Sequence, residues 1–341
     1  MRKFLSALLC AFLSVSVVLG LSACGNKKDY ISVYTPDGAP ALALAKLMHE
    51  ENSFGGKTEY EVVDPSVIAG FVTGENPKAD ICVLPVNLAS KLLGTGEKYK
   101  MLGTVTHGNL FILKKQGVED ITVENMSILT GKVVGVIQLT NVPGLTFKAV
   151  LRSNGLEYSE LGNADSVDET KVNLKAVSHE QVAPSDKSCD YYVVPEPAAT
   201  LKVNASKGAL SFAGSLQTLY GEEGGYPQAV IVAKSSLIEN NPEFIARFIA
   251  AVSESAEWLL FETTSAEMIV TAVQRHLTYG LKPSFTVANL SEEVIKNCAV
   301  KFVGSKDCKV EVNAFLDKLI AVNLSSASVV SDGFFYIENK S

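Results

Sequence analysis

Polar side chains recur in this chain where short apolar runs stop. Tyr34, Thr35, Asp37 and Gly38 close one run, Asn87 follows another across Pro85, and Thr106, His107 and Asn109 stand near a third. Gln138, Thr140 and Asn141 follow a fourth. Glu196 sits between two prolines, and Tyr226 precedes Pro227. Amides, hydroxyls, carboxylates, one imidazole and phenol rings recognise small molecules by hydrogen bonding and stacking. No Ser/His/Asp set and no Gly-rich phosphate loop accompanies them, so no catalytic residue is assigned. No CxxC or His-rich spacing points to a metal, and no cofactor is expected.

Each residue also has an ordinary structural use. Asp37 suits a turn. Asn87 suits an N-cap, which can also touch a ligand. His107, beside Gly108, suits a hinge. Residues 138–141 suit a solvated loop, Glu196 a surface acid, and Tyr226 a core position. The elements around them must decide.

Those elements follow a repeating logic. Residues 31–35 alternate and are β-branched, so they form a strand. The turn 36–39 leads to Pro40 at the first position of a helix with Leu42, Ala45, Leu47 and Met48 on its apolar face. Residues 59–63 form a second strand, and Asp64-Pro65 opens a helix through Phe71 that stops at Gly74. Residues 81–84 form a buried third strand; Pro85 ends it, and Asn87 caps a helix carrying Leu88, Leu92 and Leu93. This β-α-β-α-β-α order predicts a parallel sheet wrapped by helices. After strands at 101–106 and 109–113 the pattern restarts, with strands at 131–137, 172–177 and 190–195 and helices at 145–152 and after Pro197. Residues 229–233 form one more strand. Asn241-Pro242-Glu243 opens a long helix. Helices at 265–277, 291–302 and 311–323 complete a tail expected to be all-helical and to cover the first block.

Length supports about two domains. The 341 residues are 47% apolar and 20% charged, enough for a core without staples. The formal charge is −7 with no long basic run, so nucleic acid is not an expected partner. Arg2, Lys3, the apolar run 4–19 and Leu21-Ser22-Ala23-Cys24 read as a leader that is removed before Cys24. Losing Arg2 and Lys3 takes the charge from −7 to −9. No second apolar run is long enough to span a bilayer. Of the six cysteines, Cys82 and Cys189 read as core, and Cys298 and Cys308 are close enough in sequence to raise the question of a disulfide.

Residues 34–40, 79–89, 131–136, 194–198 and 226–230, together with a lipobox ending at Cys24, resemble a solute-binding lipoprotein of an ABC importer. The branch it is similar to handles nitrate, sulfonates, taurine and thiamine-pyrimidine precursors. The resemblance covers essentially the whole mature chain and implies an α/β, two-lobed, type II periplasmic-binding-protein-like fold with a ligand cleft between lobes. The boundaries expected are a signal peptide at 1–23, a tether at 24–29, lobe 1 at 30–108, lobe 2 at 109–227, and a mostly helical return to lobe 1 at 228–341. The implied partners are a small polar organic solute, an ABC permease with its ATPase, and the extracytoplasmic face of the membrane through acyl chains on Cys24; the protein is expected to act as a monomer. The implied activity is transport rather than catalysis. A small-molecule enzyme on the same fold, similar to thiamine-pyrimidine synthases, and a sensor lipoprotein are the alternatives. The expected ligand residues are Tyr34, Thr35, Asp37, Gly38, Asn87, His107, Asn109, Gln138, Thr140, Asn141, Glu196 and Tyr226. No Arg or Lys stands at these strand ends. That tilts the ligand toward a neutral or cationic polar compound such as an aminopyrimidine, while a sulfonate or nitrate would rely on helix N-termini and hydroxyls.

Overall fold

A computed structural model describes residues 30–54, 57–162, 165–221 and 224–337. The leader, the tether and Cys24 lie outside the described residues. The strands are β1 (Tyr30–Pro36), β2 (Lys57–Val63), β3 (Ile81–Pro85), β4 (Tyr99–Thr106), β5 (Leu110–Lys115), β6 (Val133–Ile137), β7 (Tyr158–Leu161), β8 (Val172–Val177), β9 (Tyr191–Pro195), β10 (Leu210–Ser215), β11 (Ala229–Lys234) and β12 (Val300–Gly304). They form two six-stranded sheets, ordered β12-β4-β11-β3-β1-β2 and β10-β5-β9-β6-β8-β7. The helices are α1 (Ala39–Leu42), α2 (Ala45–His49), α3 (Val86–Leu93), α4 (Val142–Ser153), α5 (Ala198–Ala205), α6 (Leu216–Leu219), α7 (Ser235–Asn240), α8 (Pro242–Trp258), α9 (Ala266–Gln274), α10 (Glu292–Asn297) and α11 (Ser305–Val322).

Central strands are unbroken apolar runs because both their faces are covered. In β3, Ile81 and Val83 face one core while Cys82 and Leu84 face another. In β9, Tyr191 and Val193 share that second core, and Tyr192 and Val194 face a third. One core therefore lies against both sheets. Helix α11 adds Val312, Phe315, Leu316 and Leu319 to it, and α4 adds Leu145, Phe147, Val150 and Leu151. The core clusters tie the two sheets together through these two helices.

Several elements differ from expectation. The helix expected from Pro40 is two pieces, α1 and α2. The helix expected after Asp64 is only a 3-10 turn, Ile68–Phe71. The helix expected at 291–302 ends at Asn297. Ala299 then takes a left-handed φ of 46° and turns the chain into β12, which pairs with β4. The tail thus supplies an edge strand as well as helices. Strands β7 and β10 were not expected. Cys298 and Cys308 are free thiols buried in different cores, so they form no disulfide; Cys82 and Cys189 are also free and buried. Burial pushes the Cys82 and Cys298 thiols well above their usual range and the Cys308 thiol to about 11, which keeps them protonated and unreactive. Among the described residues, no helix is long and apolar enough to cross a membrane.

Candidate functional site

The chain passes from the first sheet to the second through His107-Gly108-Asn109. It returns through Tyr226-Pro227-Gln228. Strand registers bring the ends together: Ala229 lies opposite both Pro85 and Thr106, and Leu110 lies opposite Pro195. Backbone bonds lock the two crossings side by side. Gln228 N–H donates to the Thr106 carbonyl at 3.0 Å and Tyr226 N–H to His107 at 3.3 Å. Val86 N–H donates to Gln228 at 3.0 Å, and Glu196 N–H to Asn109 at 2.9 Å. Gly108 has φ of +100°, and a Cβ there would come within 2.8 Å of the Tyr226 ring. Only glycine fits that turn.

A side-chain relay runs across this junction. Asn109 Nδ2 donates to the Glu196 carbonyl at 3.5 Å, and Gln228 Nε2 donates to Asn109 Oδ1 at 2.9 Å. Glu196 is 4% exposed, and its carboxylate is held by neutral donors. It accepts from Thr200 Oγ1 at 2.7 Å, Thr200 N–H at 3.1 Å and Asn297 Nδ2 at 2.8 Å. Asn297 ends α10, beside the first sheet, so this last bond joins the two halves. Glu196 makes no ion pair with any described residue. A buried carboxylate held by neutral donors alone is uncommon.

Eight buried side-chain polar atoms among the described residues have no hydrogen-bond partner, and six belong to Asn87, Thr106, His107, Gln217, Tyr226 and Gln228. Three of these residues, His107, Tyr226 and Gln228, lie on the crossings, and Thr106 ends β4 just before the first. Gln217 packs against them, since a Cβ on Gly108 would meet its Cγ at 2.7 Å. Asn87 follows Val86, which is bonded to Gln228. Native structures rarely leave such atoms unpaired without a functional reason.

His107 Nε2 lies 3.0 Å from Thr104 Oγ1, while Nδ1 is unpaired. Burial, reinforced by the Lys301 ammonium, lowers the imidazole to about 4, so it is neutral near pH 7. His107, Phe111, Gln217 and Asn297 line a cavity of about 590 Å³ beside the junction. Tyr226 is fully buried and stacks on Phe315 of α11 with ring centroids 5.3 Å apart. Burial pushes its hydroxyl well above the usual tyrosine range, outweighing the Asn109 main chain, which acts the other way.

The other expected residues lie outside this relay. Asp37 is turned inward: Oδ1 accepts from Gly38 N–H at 2.9 Å and Oδ2 from Ser284 N–H at 2.7 Å. Tyr34 stacks on Phe71, Thr35 is fully buried, and Gly38 takes φ of 102° ahead of α1. Asn87 is not the cap of its helix. Pro85 occupies that position because its fixed φ and extended ψ of 135° already start α3 at Val86, and Asn87 instead donates to the Ser326 carbonyl at 3.0 Å. Gln138, Thr140 and Asn141 are exposed, and Asn141 precedes α4 without a side-chain capping bond. Their loop is held from below: Gly144 packs against the Leu139 carbonyl, leaving no room for a Cβ, and buried Lys148 donates to that carbonyl at 3.3 Å while pairing with Glu160 at 2.7 Å. Lys148 was invisible as a loop contact because it stands well past the strand end, in the second turn of α4. Thr200, at helical spacing from Glu196, was legible in principle. Asn297 carries no local signal. Among the described residues no group of three or more His, Cys, Asp or Glu side chains is placed to hold a metal.

No protein-family model and no curated protein matches the sequence. Solved structures do match in shape. An ABC transporter structure from Parabacteroides distasonis is 17% identical, with a TM-score of 0.70 over 91% of this chain and 100% of that one. The periplasmic aliphatic sulphonate binding protein of Escherichia coli is 13% identical, with a TM-score of 0.60 over 92% and 95%. The ligand-binding component of an ABC-type import system from Staphylococcus aureus, solved with zinc bound, is 13% identical, with a TM-score of 0.56 over 91% and 97%. The fold is that of a periplasmic binding protein. In such an open α/β architecture, ligands bind beyond the carboxyl ends of strands, and here those ends meet at the crossings.

Proposed function

We propose that the protein is an extracytoplasmic solute-binding protein, lipid-anchored through Cys24, that captures a small polar organic solute between its lobes and hands it to an ABC import permease driven by an ATPase. The observation that carries this reading is the junction itself: unpaired polar atoms and a buried carboxylate gathered where the two sheets of a binding-protein fold meet. Asn87, His107, Asn109, Glu196 and Tyr226, joined by Gln228, form the floor of the site in this proposal. Tyr34 to Gly38 and Gln138 to Asn141 form its rims, with lobes divided near Gly108 and Tyr226. The solute binds one lobe, and closure about the crossings buries it. The site binds rather than reacts. The Thr104 hydroxyl beside His107 Nε2 is fully buried, His107 Nδ1 has no partner to orient the ring, and the described thiols are buried.

Native mass spectrometry of the purified protein tests this proposal. The expected result is a co-purifying small solute, released on unfolding. Chemical conversion of that solute by the protein would replace transport with catalysis. Small-angle scattering should show compaction as solute is added back, and an unchanged radius with a tight ligand would sink the closure.

A further inference from the structure

The unpaired atoms at the junction have a chemical sign. Asn109 Nδ2 faces a main-chain carbonyl, which fixes its amide orientation and leaves Oδ1 as the acceptor. Gln228 must then donate through Nε2, so its unpaired Oε1 is an acceptor with no donor. Asn87 is fixed in the same way. Its Nδ2 faces the Ser326 carbonyl, and its unpaired Oδ1 is again an acceptor. The two residues sit on bonded backbones, through Val86 N–H and the Gln228 carbonyl. At the other end of the relay stands Glu196, an acceptor that makes no ion pair with any described residue. Fully buried Thr106 adds an unpaired hydroxyl able to donate or accept, and the buried Tyr226 hydroxyl, which has the Asn109 main chain beside it, keeps its proton to donate.

We infer that the solute is a nitrogenous compound that presents N–H donors, neutral or cationic, to Gln228 Oε1, Asn87 Oδ1 and the Glu196 carboxylate. This rests on the solute-binding proposal and narrows it. A sulfonate or nitrate offers only acceptor oxygens. It would meet two amide carbonyls and a carboxylate, leaving the Gln228 and Asn87 oxygens without donors and adding like-charge repulsion against Glu196. The inference therefore separates this chain from the sulphonate-binding protein of the same fold.

Three probes of one size test it: benzamidine, a cationic donor; benzamide, a neutral donor; and benzenesulfonate, an acceptor alone. Binding to the purified protein is read by calorimetry and by the side-chain amide resonances of Asn109 and Gln228. Benzamidine and benzamide should bind and move those resonances, and benzenesulfonate should not. Glu196→Gln should weaken benzamidine by about tenfold, as expected when a charged hydrogen bond becomes neutral, and leave benzamide within about threefold. The wild-type comparison stands even if that variant fails to fold. Benzenesulfonate binding more tightly than benzamidine overturns the inference while leaving solute binding intact. If no probe moves the Asn109 and Gln228 resonances, the inference also falls, and the native mass spectrum then reports separately whether solute binding falls with it.

Discussion

Two polar clusters sit at opposite ends of β3, and they are built to opposite rules. At its start, Asp80 accepts from Lys234 Nζ at 2.8 Å and from Ser32 N–H and Oγ at 2.9 Å each. Burial alone would raise the Asp80 carboxyl, but Lys234 and Ser32 outweigh it and hold the carboxyl below its usual range. Charge is balanced, and the Lys234 backbone also bonds the Asp80 carbonyl at 2.9 Å. Beyond the other end of β3, across the crossing strands, Glu196 has three donors and no cation, and neighbouring amides and hydroxyls are unpaired. The first cluster closes on itself and stabilises the sheet. The second is left open at a cost in stability, and a ligand can supply what it lacks. A polar group held at a cost marks a functional position better than one that is fully paired.

The comparison can be broken at either end. The largest effect is expected from Asp80→Ala, which strands Lys234 and should cost about 3 kcal/mol in urea unfolding, with solute binding unchanged. A loss below 1 kcal/mol would show that the paired cluster is not a structural anchor.

A smaller effect is expected from acid. The folded state holds His107 near 4, below its unfolded value near 6.5. The unfolded chain therefore binds the extra proton first. The contribution is fully present above about pH 6.5 and is lost as pH falls toward 4, with about 2 kcal/mol gone by pH 5. His107→Gln should flatten that part of the profile in thermal unfolding measured from pH 7 to pH 4.5. A wild-type profile flat over this range would contradict the burial argument. Asp80 acts in a lower window. Its folded value is depressed, so its contribution is present above the ordinary carboxyl value of 3.8 and lost below it.

The smallest effect is expected from Glu196→Gln without ligand. Removing an unbalanced buried charge while keeping an amide in its place should leave stability unchanged or raise it by up to about 1 kcal/mol. A loss as large as that of Asp80→Ala would mean that Glu196 is a structural acid like Asp80, and the contrast between the clusters would vanish.

Much of the scaffold was legible because of burial. Central strands such as β3, β6 and β9 are covered on both faces, so each is an apolar run that needs no tertiary knowledge to find. The three unexpected strands, β7, β10 and β12, all lie at sheet edges. Edge strands are half exposed and mix polar with apolar residues, so nothing in composition separates them from loops or short helices. Residue type misled at Asn87. An asparagine after Pro85 looks like a cap, yet Pro85 already performs that role, and the amide bonds a carbonyl 239 positions away.

By itself the sequence determined the alternation of strand and helix, the glycine and proline turns at the strand ends, and the concentration of amides, acids and rings beside them. These are local matters, decided by periodicity and backbone restriction within a few residues. Only the tertiary structure decided which of those side chains meet. Glu196 finds Asn297 across 101 positions, Gln228 finds Asn109 across 119, and Asp37 turns away to Ser284. Hydrogen-bond partners are set by how two sheets dock through shared helices, and that docking is a property of the whole core rather than of any stretch of chain.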